Sequence, residues 1–196
     1  MVLQHAALAL FRIGCISFLI FGAGLFAETT LMEWNFSAMA DIPESARHYF
    51  NDKSGVKTAV SIDREAAAPD GKGALRIDVL AASQKEEGGD IQQIFSYANG
   101  LQAKKKYRVT ITMKANHTMM MPVKLVSITD GSPWSGVANP DGMYVTLNRE
   151  WKTIKYTFTS TGDFSGKAVR TPGIFMGEFD TGTTIWIARV IFTEVQ

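Results

Sequence analysis

In residues 107–115, YRVTITMKA, apolar Tyr107, Val109, Ile111 and Met113 alternate with Arg108, Thr110, Thr112 and Lys114. A side-chain period of two belongs to an extended strand with one face buried; a helix would need apolar residues every three to four positions. The same period recurs along the chain. VKTAVSID sets Val56, Val60 and Ile62 on one side, and ALRIDVL does so with Leu75, Ile77 and Val79. MYVTLN aligns Met143, Val145 and Leu147, and IKYTFTS aligns Ile154, Tyr156 and Phe158. TIWIARVIF, near the C-terminus, is apolar on both sides, which predicts a strand covered on both faces. Turn dipeptides punctuate these runs at Asp70-Gly71, Asn99-Gly100, Asp130-Gly131 and Asp141-Gly142. The pattern predicts an all-β chain: a β-sandwich, jelly-roll type, of about eight to ten antiparallel strands.

Residues 1–27 stand apart. Arg12 is their one formal side-chain charge, and the uncharged run IGCISFLIFGAGLFA follows it. A short apolar run behind a positive charge, ending in small residues, reads as a signal peptide cleaved after Gly24 or Ala27. An uncleaved membrane anchor is the alternative, but the run falls short of the roughly 20 apolar residues of a spanning helix. Residues 28–196 then form a single secreted domain, extracellular or periplasmic, with membrane contact only if the leader stays attached. Its removal takes away Cys15, the single cysteine, so the domain must hold together without disulfides, which a chain of about 170 residues is large enough to do. Loss of Arg12 lowers Lys+Arg from 20 to 19, equal to the 19 Asp+Glu. A neutral domain argues against nucleic acid as a partner, because phosphate backbones require clustered positive charge. The one basic run, Lys104–Lys106, lies between Asn99-Gly100 and a strand and reads as a solvated turn.

The tryptophans divide. Trp151 is out of phase with Ile154, Tyr156 and Phe158; a bulge that resets the register and turns it inward is expected, an outward indole being the alternative. Trp186 is expected in the core. Trp34 and Trp134 have looser surroundings. Trp134 sits in DGSPWSG, a setting for exposed loops, and is either a cap on the sandwich rim or a platform for a ligand.

GKGALRIDVLA (71–81), DIQQ (90–93), NGLQAKKKYRVTITMKA (99–115), REWKTIKYTFTS (149–160) and GTTIWIARVIFTE (182–194) follow in the order and spacing of the CenC-like carbohydrate-binding modules. Residues 50–194 thus resemble the jelly-roll modules of families 4, 9 and 22 that accompany many cellulases and xylanases. The resemblance implies that Asp90 and Gln92 project from a ligand-facing sheet, that Tyr107 and Phe158 are core, and that Trp151 opens a strand over it. It also implies a structural calcium held by acids. This chain departs from that pattern, with Ala188-Arg189 in place of Asp-Asn and Ser37 in place of an acid, so no metal and no cofactor is expected.

Sugar recognition needs a flat aromatic face against the C–H face of a pyranose and planar polar groups for its hydroxyls. Trp134 supplies the first, with Tyr144 as a second aromatic. Asp90 and Gln92, on one face of a strand, and Arg170 supply the second, with Asn139 a further polar candidate. Catalytic patterns are weak by comparison. Asp180-Thr181-Gly182 resembles an aspartic-protease loop, but that chemistry needs two such aspartates and only one such tripeptide occurs. His48 and His117 lack metal-ligand spacing. A glycosidase needs facing carboxylates about 5–10 Å apart, and QKEEGGD, which holds Glu86, Glu87 and Asp90, reads as a solvated loop. The expectation is a non-catalytic module that binds a poly- or oligosaccharide, acting beside a separately encoded glycoside hydrolase. The alternative is a structural β-sandwich of a surface assembly without sugar affinity.

Overall fold

The computed structural model describes residues 28–82, 91–120, 122–176 and 179–196. The expected leader with Cys15, and the loop with Glu86, Glu87 and Asp90, lie outside the described residues. The alternating runs form strands: β1 (Glu28–Asn35), β2 (Ala46–Phe50), β3 (Lys57–Ala68), β4 (Gly71–Ala81), β5 (Ile91–Tyr97) and β6 (Lys106–Ala115). β7 (Val123–Thr129), β8 (Ala138–Asn139), β9 (Gly142–Val145), β10 (Lys152–Ser160), β11 (Val169–Phe175) and β12 (Thr184–Val195) complete the set. Among the described residues there are twelve strands against the eight to ten expected, and β8, at 2 residues, is too short to show an alternation.

Two antiparallel sheets face each other. One is seven-stranded, in the order β3-β4-β12-β6-β10-β8, and β1 lies beside β4 on the same edge of β12. The other is five-stranded, in the order β2-β5-β11-β7-β9. Leu75, Ile77 and Val79 of β4, the four apolar residues of β6, and Ile154, Tyr156 and Phe158 of β10 all point into the space between them. Aromatic contacts join the layers. The Trp34 ring of β1 meets Phe95 of β5 edge-on at 5.2 Å, and Phe192 of β12 meets Tyr97 of β5 at 5.3 Å, each pair adding about 0.5–1.5 kcal/mol beyond its burial. Trp34 is fully buried, and its Nε1–H donates to Ser45 Oγ at 2.9 Å. A polar chain closes one side of the sandwich. Buried Gln93 donates to Ala46 O, its Oε1 lies 3.3 Å from His48 Nδ1, and His48 Nε2 lies 2.8 Å from Thr58 Oγ1 of β3.

Two tryptophan expectations are corrected. β10 pairs with β6 in unbroken register, so no bulge turns Trp151 inward. It keeps the outward parity of Thr153 and Lys155 and donates Nε1–H to Ala67 O at 2.6 Å. Trp186 also faces outward, because Ile185 and Ile187 occupy the inward positions on either side. Its indole donates to Asp63 Oδ2, and the Lys114 ammonium sits between the two rings, 4.8 Å from Trp151 and 5.0 Å from Trp186. An indole lies flat on a sheet when its N–H has a partner and a lysine covers its face. The outer face of β12 is therefore screened by side chains rather than by a layer.

The turns behave as read. Lys104 to Lys106 form an exposed rim, where Lys105 pairs with Glu194 at 2.7 Å. The Asp180 carbonyl accepts from Thr183 N–H, the turn that feeds β12. Gly100 has φ +70°, and a Cβ there would lie 1.8 Å from Phe164 O, so only glycine fits this turn.

Candidate functional site

Register determines which side chains share the open face of the five-stranded sheet. Tyr49 of β2 pairs with Gln92 of β5, Gln92 with Phe175 of β11, Phe175 with Lys124 of β7, and Lys124 with Tyr144 of β9. These five residues form one row over every strand, about 19 Å from edge to edge at roughly 4.8 Å per strand. The next row, Arg47, Ile94, Gly173, Val126 and Gly142, is low, with two glycines among its five positions. Ser96, Arg170 and Ile128 form a third. A register shift between Arg170 and Gly173 keeps both on the open face although three positions separate them, as bulges do when they re-aim a side chain.

Polar groups gather at the third row. Asp130, just past β7, receives Arg170 Nε on Oδ1 at 3.0 Å, and Arg47 Nη2 and Ser96 Oγ on Oδ2, each at 2.5 Å. Burial alone would push this carboxyl up. The hydrogen bonds from Ser96 and Arg170 and the charges of Arg47 and Arg170 outweigh it and hold it below the usual carboxylate range. Arg170 Nη1 also donates to Gln92 Oε1 at 2.8 Å, and its guanidinium lies 4.2 Å from the Trp134 ring centroid.

The loop carrying Trp134 is tied at its base. Ser135 N–H donates to Thr129 Oγ1, which donates to Pro133 O, both at 2.9 Å, and Gly136 bridges to Ile128. Trp134 is 57% exposed. It overhangs a concavity of about 390 Å³ lined by Arg47, Tyr49, Ile94, Asp130, Arg170 and the indole itself.

Of the residues expected at a site, Trp134, Arg170 and Gln92 therefore come together. Tyr144 is on the same face at its far edge, 65% exposed, with Lys124 Nζ 5.7 Å from its ring centroid. Asn139 is elsewhere, in β8 of the other sheet, paired with Thr159. Asp90 lies outside the described residues, next to the start of β5. Sequence reasoning missed Asp130, taken only as a turn former, and the pair Arg47 and Tyr49. The alternation in ARHYF, with Ala46 inward, was the available signal for that pair.

The calcium implied by the resemblance does not fit these residues. Arg189 projects a guanidinium to Glu33 at 2.9 Å and Asp70 at 3.5 Å, and Ser37 spends its hydroxyl on Asn35 Oδ1 at 2.7 Å. A cation where Arg189 stands would meet a like charge.

Two antiparallel sheets packed face to face, with aromatic, amide and guanidinium side chains on one open face, define a β-sandwich module. The chain belongs to the carbohydrate binding domain family CBM_4_9, whose model matches residues 27–173. Solved structures share the fold. The apo CBM1 of BiXyn10A aligns with 84% of this chain and 98% of its own at 18% identity and a TM-score of 0.57. A CBM4 structure aligns with 75% and 84% at 20% identity and 0.57. The CBM22-1–GH10 modules of Clostridium thermocellum endo-1,4-beta-D-xylanase 10B, complexed with xylohexaose, align with 86% of this chain and 29% of theirs, at 13% identity and 0.54. No curated protein matches the sequence.

Proposed function

We propose that this carbohydrate-binding module is secreted and non-catalytic, and that it holds a poly- or oligosaccharide across the five-stranded sheet. The observation that carries this reading is the half-exposed Trp134 indole, backed by Arg170 on one ring face and set beside Gln92 over an open concavity. One sugar ring stacks on the indole, amide and guanidinium groups bond its hydroxyls, and Tyr49 and Tyr144 bound the trough at either edge. Tyr49, at 47% exposure, offers an aromatic surface comparable to that of Tyr144. The proposed site residues are Trp134, Gln92, Arg170, Tyr144 and Asp90.

Asp130 suits positioning better than catalysis. A glycosidase's general acid must hold a proton near neutrality, which the two arginines deny this carboxyl, and as a nucleophile or base it would have to give up oxygens that Arg47, Ser96 and Arg170 already engage. A glycoside hydrolase is the bond-breaking partner in this reading, as a CBM22-1 module accompanies a GH10 module in the xylanase 10B structure.

Affinity electrophoresis in gels containing xylan, β-glucan and other soluble polysaccharides tests the reading. Retardation by at least one polymer, lost in Trp134→Ala with no change in melting temperature, is the expected result. Normal migration over the whole panel would leave a structural sandwich, and release of reducing sugar by the pure protein would overturn the non-catalytic assignment.

A further inference from the structure

We infer that the glycan taken by this face bears carboxylates, as in a uronic-acid polysaccharide, and that Arg47 reads them beside the Trp134 platform. The inference rests on the sugar-binding reading above and adds the chemical class of the sugar.

The two sheets balance their arginines differently. On the seven-stranded sheet Arg76 lies between Asp63 and Asp78, Arg189 between Glu33 and Asp70, and Arg108 against Glu28, while Arg64 bonds the carbonyls of Met39 and Ala40, so carboxylates outnumber the guanidiniums they pair with. On the five-stranded face, among the described residues, the excess is reversed: Arg47 and Arg170 share the one carboxylate of Asp130. The excess is not a symptom of a basic protein, since residues 28–196 carry as many acidic as basic side chains.

Depth decides what a ligand meets. The Asp130 side chain is 6% exposed and that of Arg170 11%, whereas that of Arg47 is 46% exposed. The negative charge lies deep in the lining of the concavity, covered by its partners, and the exposed guanidinium of Arg47 stands in the opening. Asp130 engages one guanidinium nitrogen of Arg47, which carries five N–H donors in a planar fork. That fork matches a carboxylate in two parallel hydrogen bonds, and a neutral pyranose has no group that uses its charge. The indole beside it provides the C–H surface that the same sugar ring needs.

Titration calorimetry of the purified protein with polygalacturonate, alginate and glucuronoxylan, each against its carboxyl-reduced counterpart, tests the inference. At least one acidic polymer is expected to bind about tenfold more tightly than its reduced form, the discrimination weakening as salt rises. Arg47→Gln should abolish that discrimination. Lys72→Gln, an equal loss of charge at a 74% exposed side chain on the other sheet, should leave it intact. Arg47→Lys, which keeps the charge without the fork, should restore part of it and shows that loss in Arg47→Gln is not misfolding. Equal affinity for acidic and reduced polymers, or binding to neutral glycans alone, overturns the uronate inference and leaves the sugar-binding reading standing. Absence of binding to every polymer, acidic or neutral, overturns both.

Discussion

Replacing Asp130 with asparagine keeps the shape of the side chain and removes the charge on which two arginines converge. The cost is set mainly by Arg170, because its side chain is 11% exposed and its Nε lies 3.0 Å from Asp130 Oδ1. At an effective dielectric constant of about 20, two unit charges about 4 Å apart attract by about 4 kcal/mol. Stranding a buried cation by deleting its partner costs about 3–5 kcal/mol, whereas the half-exposed Arg47 contributes about 0–1. The asparagine carbonyl still accepts one hydrogen bond, so we expect a net loss of about 3 kcal/mol. For a domain of this size that corresponds to a fall in melting temperature of about 6–12 °C. Thermal and urea unfolding at neutral pH measure it, with Arg47→Gln as the exposed-partner control at about 1 kcal/mol or less. The acid limb gives a second reading with a fixed sign. Asp130 is held below its unfolded value, so its contribution is complete above that value, about 3.9, and fades as pH falls through the lower folded value. Asp130→Asn should remove this part of the acid sensitivity. A variant within about 0.5 kcal/mol of the parent, with an unchanged acid limb, would refute the claim that Asp130 is the electrostatic anchor of the face.

Three further perturbations probe the scaffold and the trough. His48 is held neutral, with burial lowering its pKa against the weaker opposing effect of the Gln93 hydrogen bond. Its stabilisation should be complete above the unfolded value of about 6.5 and decline as pH falls below it, and His48→Gln should flatten stability curves in that window; parallel curves would count against it. Gly100→Ala forces a Cβ to 1.8 Å from Phe164 O at φ +70° and in urea titration should cost clearly more than Gly166→Ala, where nothing lies within 4 Å and only the backbone strain of φ +75°, about 1–2 kcal/mol, is incurred. Tyr49→Ala and Tyr144→Ala remove the two ends of the trough. Each should weaken binding of long oligosaccharides more than of disaccharides in calorimetry while leaving melting temperature nearly unchanged, because both rings are largely exposed.

The fold was legible because its signal is local. A period of two needs only neighbouring residues, and it assigned the inward faces of β4, β6 and β10 correctly. Trp151 and Trp186 follow the same period outward, against the register-resetting bulge expected for the first and the core position expected for the second. Between Ile185 and Ile187 the alternation already sends Trp186 outward, where an indole is stable once Asp63 accepts its N–H and Lys114 and Arg76 cover its faces. The site was legible only in fragments, for a topological reason. In the order β2-β5-β11-β7-β9 no two neighbouring strands are consecutive in the chain. Every contact between them is long-range: Arg47 reaches Asp130 across 83 residues, and Arg170 reaches Gln92 across 78. Sequence can say that Gln92, Arg170 and Trp134 are polar or aromatic residues in exposed settings, each on its own terms. It cannot say that one carboxylate, in a dipeptide with every mark of a turn, lies where β2, β5 and β11 bring their polar groups together. Exposure on a strand is a property of the residue's neighbours in sequence, and company on a sheet is a property of strand order. That is why the anchor of this face, Asp130, carried no warning in the chain, while the platform it supports did.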